Sequence, residues 1–202
     1  MCLYFPTIPA TFMHIPKTGG ASLSKWASDN NIPFISGPEH ADLKTIMLTN
    51  NMPGTIFTIV RNPYDRLVSQ YHYVNQVMLA RLPITDQIKH NSIFKKGFGY
   101  YVDCMYSKVT FADQPPGSVL SWWISSNSQV DWFSSQSPDI IIKLEQLDEN
   151  FVKIQDLFQC YNQLPHLSKT VRNTYREYYT APILQKVTKL YQQDIEMFNY
   201  DF

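Results

Sequence analysis

Length, composition and charge limit the class of protein that this chain can be. Of its 202 residues 44% are hydrophobic, enough for one substantial core, and we expect a single domain over residues 1–202. Lysine plus arginine and aspartate plus glutamate number 17 each, which excludes the overall positive charge that drives non-specific binding to nucleic acid. Any anion-binding site must therefore be local.

Cysteine usage and hydropathy bear on the compartment. The three cysteines, Cys2, Cys104 and Cys160, lie far apart without C-x-x-C spacing, which favours neither a disulfide framework nor a zinc site. The amino terminus has no basic segment followed by an apolar one, and no run approaches about twenty apolar residues. We expect a cytoplasmic protein without a membrane span, lacking any anchor that relatives in a secretory organelle would carry.

The first element in chain order is an apolar strand that runs into a glycine turn. The sequence predicts a strand at Thr11 to His14, a loop over residues 15–20 and a helix from about Ala21 to Ser28. Adjacent glycines let backbone amides approach a ligand closely, and a helix start offers unpaired N–H groups with partial positive charge. This corner could bind phosphate or sulfate, although an ordinary strand-to-helix turn fits the same residues.

The order of residues in this loop separates it from a Walker A loop. There the lysine follows the last glycine, in the pattern G-x-x-x-x-G-K-[ST]. Here Lys17 precedes both glycines, and it would add a mobile charge to the turn. The hydroxyls of Thr18 and Ser22 would add neutral hydrogen-bond donors.

A second helix is predicted over residues 39–47, after a short strand at Ile32 to Ile35. His40 would lie near the amino end of that helix. A surface histidine or a helix-start contact is the ordinary explanation for such a residue.

The strongest strand pattern is Thr55 to Val60, which is almost entirely β-branched or aromatic and is typical of a central parallel strand covered on both faces. Arg61 stands at its end, and Pro63 is well placed to open the next helix. Ser69 follows two turns into that helix, so the guanidinium and the hydroxyl could converge on one phosphate. Arg61 could equally pair with Asp65.

The two strand-to-helix corners together resemble sulfotransferases that use 3′-phosphoadenosine 5′-phosphosulfate (PAPS). The stretch His-Ile-Pro-Lys-Thr-Gly-Gly-Ala-Ser is similar to their 5′-phosphosulfate loop, and I-V-R-N-P-Y-D-R-L-V-S-Q-Y to their 3′-phosphate signature. The resemblance implies an α/β, three-layer P-loop-like fold with a central mostly parallel sheet flanked by helices. It also implies a set of donor-binding residues: Lys17, Thr18, Gly19, Gly20, Ala21, Ser22, Arg61 and Ser69.

The same resemblance implies sulfuryl transfer to an acceptor hydroxyl, with a carbohydrate as the expected acceptor and 3′-phosphoadenosine 5′-phosphate (PAP) as the product. Lys17 is the predicted cation that stabilises charge on the leaving phosphate. His40 is the predicted general base, because an imidazole titrates near neutral pH. Glu39 and His14 are reserves, and His14 ranks lower because it is expected to point into the sheet packing.

The later chain offers a further strand at Asp139 to Leu144 and a helix over residues 148–158. Residues 164–172 resemble the family's late loop, which closes over the nucleotide. From that loop, Lys169 and Thr170 are predicted to contact the donor and Arg172 could add charge, while a solvated basic helix start fits all three as well. The last helix is predicted to run from Pro182 to Phe198.

Two alternatives concern chemistry rather than fold. A nucleotide-dependent phosphotransferase would need a Walker lysine and a magnesium aspartate, neither of which the sequence supplies. A catalytically silent nucleotide-binding or glycan-binding module would use the same binding residues. No metal site is expected, because the five histidines are scattered along the sequence. Residues 75–117 are predicted to cover the donor-binding site.

Overall fold

The computed structural model places the described residues in two units. It describes residues 2–38, 41–49, 54–78, 80, 84, 94–106, 127–133, 136–167 and 172–202. The first unit consists of Met1–Asn62 and Gln129–Lys169, and the second of Pro63–Ser128 and Thr170–Phe202. Each unit has its own buried core.

The first unit is built on a five-stranded sheet with the order β3-β1-β2-β4-β5. Strand β1 is antiparallel to β2 and β3, whereas β2, β4 and β5 pair in parallel, so four of the five strands run in one direction. The two central strands are almost completely buried, as their uninterrupted apolar sequences require. The strands are β1 Leu3–Phe5, β2 Ala10–Met13, β3 Ile35–Ser36, β4 Thr55–Val60 and β5 Ile140–Lys143.

Helices make up most of the remaining regular structure in the described chain. The α-helices are α1 Gly20–Asp29, α2 Leu43–Thr49, α3 Pro63–Tyr73, α4 Gly97–Tyr106, α5 Leu147–Asn150, α6 Val152–Phe158, α7 Ala181–Leu190 and α8 Gln192–Phe198. A π-helical turn, Val74–Met78, continues α3, and short 3₁₀ helices occupy Gln129–Phe133, Leu144–Gln146 and Tyr175–Tyr178. The predicted α/β fold with a mostly parallel sheet flanked by helices is confirmed.

Aromatic side chains hold the sheet of the first unit to α1 and α6. Trp26 of α1 is 1% exposed and meets the rings of Phe151 and Phe158 edge-on at 5.2 and 5.7 Å. Phe158 also packs edge-on against Phe5 at 4.6 Å. Rings in this arrangement contribute about 0.5–1.5 kcal/mol per pair beyond their buried area, so the helix that starts the glycine corner is fixed firmly on the sheet.

The second unit is helical, with an aromatic core drawn from α3, α4 and α7. The ring centroids of Tyr71 and Tyr101 lie 5.3 Å apart within this core, and Tyr101 is fully buried. The phenol of Tyr64 hydrogen-bonds with the hydroxyl of Thr188 at 2.9 Å, and its carbonyl accepts a bond from Tyr179 at 2.9 Å. This unit carries Ser69, on α3.

Several elements differ from the sequence prediction. Helix α2 begins at Leu43 rather than at residue 39, and the helix predicted over residues 148–158 is divided into α5 and α6. Strand β1 was not predicted, and the strand expected at Ile32 to Ile35 is reduced to β3, which begins only at its last residue. Pro33 cannot donate to a ladder, and Phe34 packs its ring against the core instead. The last helix is also not continuous, because Tyr191 ends α7 with φ −114° and buries its ring.

Candidate functional site

The glycine corner forms at the carboxyl end of β2. The buried hydroxyl of Thr18 donates to the carbonyl of Ile15 at 2.8 Å, which closes the loop on itself. Gly19 adopts φ 99° and Lys17 adopts φ 69°, so two residues of the turn are left-handed. For lysine that conformation costs about 1–2 kcal/mol. The turn is therefore held in one specific conformation, and the hydrogen bond of the Thr18 hydroxyl stabilises that conformation.

Helix α1 begins at this turn with its amino end open. Gly19 is its N-cap and, among the described residues, no side chain caps it. The amides of Ser22 and Leu23 bond to the Gly19 carbonyl at 2.9 and 3.2 Å. The first turn, which includes Ala21, thus offers the partial positive charge that an anion seeks.

His14 lies directly beside this helix start. A Cβ added to Gly20 would come within 2.1 Å of the His14 Nε2 atom, so the imidazole edge occupies the space that any larger residue would need. The ring also stacks on Phe12, with centroids 5.7 Å apart. The His14 ring therefore packs against Phe12 of the sheet, as expected, but its Nε2 atom faces the glycine corner.

Arg61 stands at the end of β4, the strand next to β2. Because the two strands are parallel, their carboxyl ends share one edge of the sheet. The Arg61 Nη1 atom donates to the carbonyl oxygen of Lys17 at 3.1 Å. The structure thus brings Arg61 and the lysine loop into direct contact.

Two side chains from later in the chain hold the end of β4. The buried amide of Gln129 accepts from the Arg61 N–H at 2.9 Å and donates to the Arg61 carbonyl at 2.8 Å. The exposed Glu145 accepts from the Asn62 N–H at 2.6 Å. Nothing in the local sequence singled out Gln129, which lies 68 residues from its partner.

The late loop also touches the corner. The Leu167 N–H donates to the Ser22 Oγ atom at 3.2 Å, so the chain just before Lys169 and Thr170 is anchored on the first turn of α1. Lys169 and Thr170 themselves lie outside the described residues, as do His40 and Glu39. Most of the predicted cover, residues 75–117, lies outside them as well.

In the second unit, Ser69 lies on α3 and is 7% exposed. Asp65, on the same helix, forms an ion pair with Arg172 at 2.5 Å. Arg172 belongs to the late basic segment and has this carboxylate as a partner.

Within the described ranges, no group of three or more histidine, cysteine, aspartate or glutamate side chains could hold a metal ion. None of the helices in this part of the chain has the length and apolar character needed to cross a bilayer.

A mostly parallel sheet with a glycine turn, an open helix start and an arginine at neighbouring strand ends defines an α/β protein, and these features of the sheet edge suit an anionic ligand. The comparison with protein families is more specific. The model of the sulfotransferase family matches residues 4–201, and the chain belongs to that family. Comparison with curated proteins and with solved structures gives no match. The family assigns the chain to sulfuryl transfer in general.

Proposed function

We propose that this protein transfers a sulfuryl group from PAPS to a hydroxyl of a carbohydrate. The observation that carries the proposal is the hydrogen bond from Arg61 to the Lys17 carbonyl, because it joins the ends of two parallel strands that resemble the donor-binding corners of the family. One bisphosphorylated nucleotide needs two anion sites at one edge of the sheet. The carbohydrate acceptor is supported by the resemblance to that branch of the family.

The residues present suit the two ends of such a donor. The open amino end of α1, which follows the Gly19 N-cap, suits the 5′-phosphosulfate. Thr18 would contribute its backbone amide, because its hydroxyl already donates to Ile15. Arg61 and Ser69 are assigned to the 3′-phosphate, Ser69 on sequence grounds.

PAPS supplies an activated sulfuryl group. In the proposed step, the acceptor oxygen forms a bond to sulfur while the bond from sulfur to the 5′-phosphate oxygen breaks and PAP leaves. Lys17 and the loop amides stabilise the negative charge that builds on the phosphate oxygen. His40 takes the proton of the acceptor hydroxyl, with Glu39 and His14 as reserves.

His14 gains one supporting observation as a reserve, since its Nε2 faces Gly20 at the start of α1. His40→Ala should lower turnover by about a hundredfold or more while PAP affinity stays nearly unchanged. His14→Ala is the matched comparison. A normal turnover in the first variant and a large loss in the second would transfer the role to His14.

The donor is tested by ligand-induced stabilisation. PAP at a hundred times its dissociation constant should add about 2.7 kcal/mol to the free energy of unfolding, and ATP with magnesium should add much less. The reverse order would favour a phosphotransferase. Transfer of labelled sulfate from PAPS to a panel of glycans then separates an enzyme from a silent binding module, which would bind PAP without turnover.

We further propose that residues 1–202 form one sulfotransferase domain that works in a reducing compartment such as the cytoplasm. The family match runs through segments of both units. All three cysteines are free thiols. Burial raises the pKa of Cys2 and Cys104 above the ordinary thiol value, so both stay protonated and unreactive at neutral pH.

A further inference from the structure

The lysine loop depends on a contact that its own sequence does not contain. Lys17 is left-handed at φ 69°, a conformation that an L-residue keeps only when its surroundings hold it. The Thr18 hydroxyl holds one end of the loop through Ile15. The Lys17 carbonyl accepts a hydrogen bond from the Arg61 guanidinium, at 3.1 Å.

This contact fixes more than a carbonyl. The peptide bond between Lys17 and Thr18 is planar and trans, so its C=O and N–H point in opposite directions. Holding the Lys17 oxygen therefore also sets the direction of the Thr18 N–H, one of the amides proposed to bind the donor. It equally sets the backbone from which the Lys17 side chain extends.

Arg61 is itself held by a buried amide. Gln129 is fully buried and makes two opposed hydrogen bonds with the Arg61 backbone, at 2.9 and 2.8 Å. An amide that accepts from the N–H and donates to the C=O of one residue fixes that residue much as a neighbouring strand would. Arg61 is therefore presented from a defined backbone position.

We propose that Arg61 is a positioning residue for the Lys17 loop, held in place by Gln129, in addition to its proposed contact with the 3′-phosphate. This inference rests on the proposed function. A guanidinium has five donors, so one can hold the Lys17 carbonyl while others face a phosphate. Loss of Arg61 or Gln129 should then weaken binding at the 5′ end of the nucleotide as well.

The test uses a ligand that lacks the 3′-phosphate. The only phosphate of adenosine 5′-phosphate would bind at the glycine corner. A residue that contacts only the 3′-phosphate of PAP therefore cannot affect the affinity for adenosine 5′-phosphate. Arg61→Lys keeps the positive charge and loses the guanidinium fork. It should weaken binding of adenosine 5′-phosphate by about tenfold, the scale of a hydrogen bond to a charged group. The affinity is measured by competition against PAP.

Gln129→Leu leaves Arg61 itself intact and should reproduce this loss. Ser69→Ala is the matched control, because it should weaken PAP binding and leave the affinity for adenosine 5′-phosphate unchanged. Steady-state kinetics with adenosine 5′-phosphosulfate as donor gives a second reading. Turnover at saturating donor should fall in Arg61→Lys and Gln129→Leu, since the lysine backbone is displaced in both.

The outcomes separate this inference from the proposed function. If the unaltered protein binds neither PAP nor adenosine 5′-phosphate, the proposed function is wrong. If it binds both and Arg61→Lys weakens PAP alone, Arg61 serves only the 3′-phosphate and the positioning role is overturned. If Gln129→Leu melts far below the unaltered protein, Arg61→Lys decides the question by itself.

Discussion

The carboxyl ends of β2 and β4, the two corners proposed to bind anions, are neighbours in the sheet and are made from different parts. At the end of β2 the backbone forms most of the corner, through left-handed residues, two glycines and a helix start that no side chain in the described part of the chain caps. At the end of β4 a side chain, Arg61, provides the charge, and Gln129 and Glu145 hold the backbone beneath it. One corner is made by local conformation and the other by distant partners.

Because the two corners are made differently, different substitutions should damage them. A corner made of backbone is sensitive to any atom that intrudes on it, as the 2.1 Å distance from a Gly20 Cβ to His14 shows. A corner made of side chains is sensitive to the loss of a partner. The bond from Arg61 to Lys17 makes the first corner depend partly on the second.

Removing the charge from the backbone corner should have the largest effect. Lys17→Ala should lower turnover at saturating PAPS by about 10²–10³-fold, the cost of losing one donor to a developing negative charge. The backbone strain is unchanged, because alanine is also an L-residue at φ 69°. Steady-state sulfate transfer measures the effect.

The matched control for Lys17 is Lys25, on α1. Its exposed ammonium pairs with Asp29 one turn later. Such a pair contributes about 0.3–0.5 kcal/mol, so Lys25→Ala should leave turnover unchanged. Equal turnover in the two alanine variants would show that Lys17 does not stabilise the leaving phosphate.

Adding one methyl group to the backbone corner should have the next largest effect. Gly20→Ala places a Cβ where the His14 ring lies, so the ring or the helix start must move. Overpacking of this kind lowers the free energy of unfolding by about 1–3 kcal/mol, and PAP affinity should fall with it. Thermal melting and calorimetry measure the two effects.

The second variant that tests this explanation is Gly20→Ala combined with His14→Ala, which makes room for the methyl group and should restore much of the lost stability. Gly99→Ala, in α4, is the control, since its Cβ would meet only the flexible end of Ile183 at 3.1 Å. A double variant as unstable as Gly20→Ala would mean that the cost lies in the backbone of α1.

The same difference explains which features of the fold and the site could be predicted from the sequence. Strands β2 and β4 and the glycine corner follow from local patterns: an unbroken apolar strand, a loop with adjacent glycines and an arginine before Asn-Pro. Gln129 and Glu145 act across 68 and 83 residues, and no local pattern pairs a glutamine with a strand end. Strand β1, with three residues, was too short to give a periodic signal.

The smallest expected effect lies at the edge of the side-chain corner. Glu145→Ala removes the acceptor of the Asn62 N–H, which lies 2.6 Å from the carboxylate. Because Glu145 is exposed, water can replace it, and the free energy of unfolding should fall by only about 1 kcal/mol. Glu145→Gln retains an oxygen acceptor and should fall less, with PAP affinity unchanged in both. A large loss of PAP affinity in the alanine variant, with stability preserved, would show that the glutamate acts on the ligand and that the end of β4 is held by Gln129 without it.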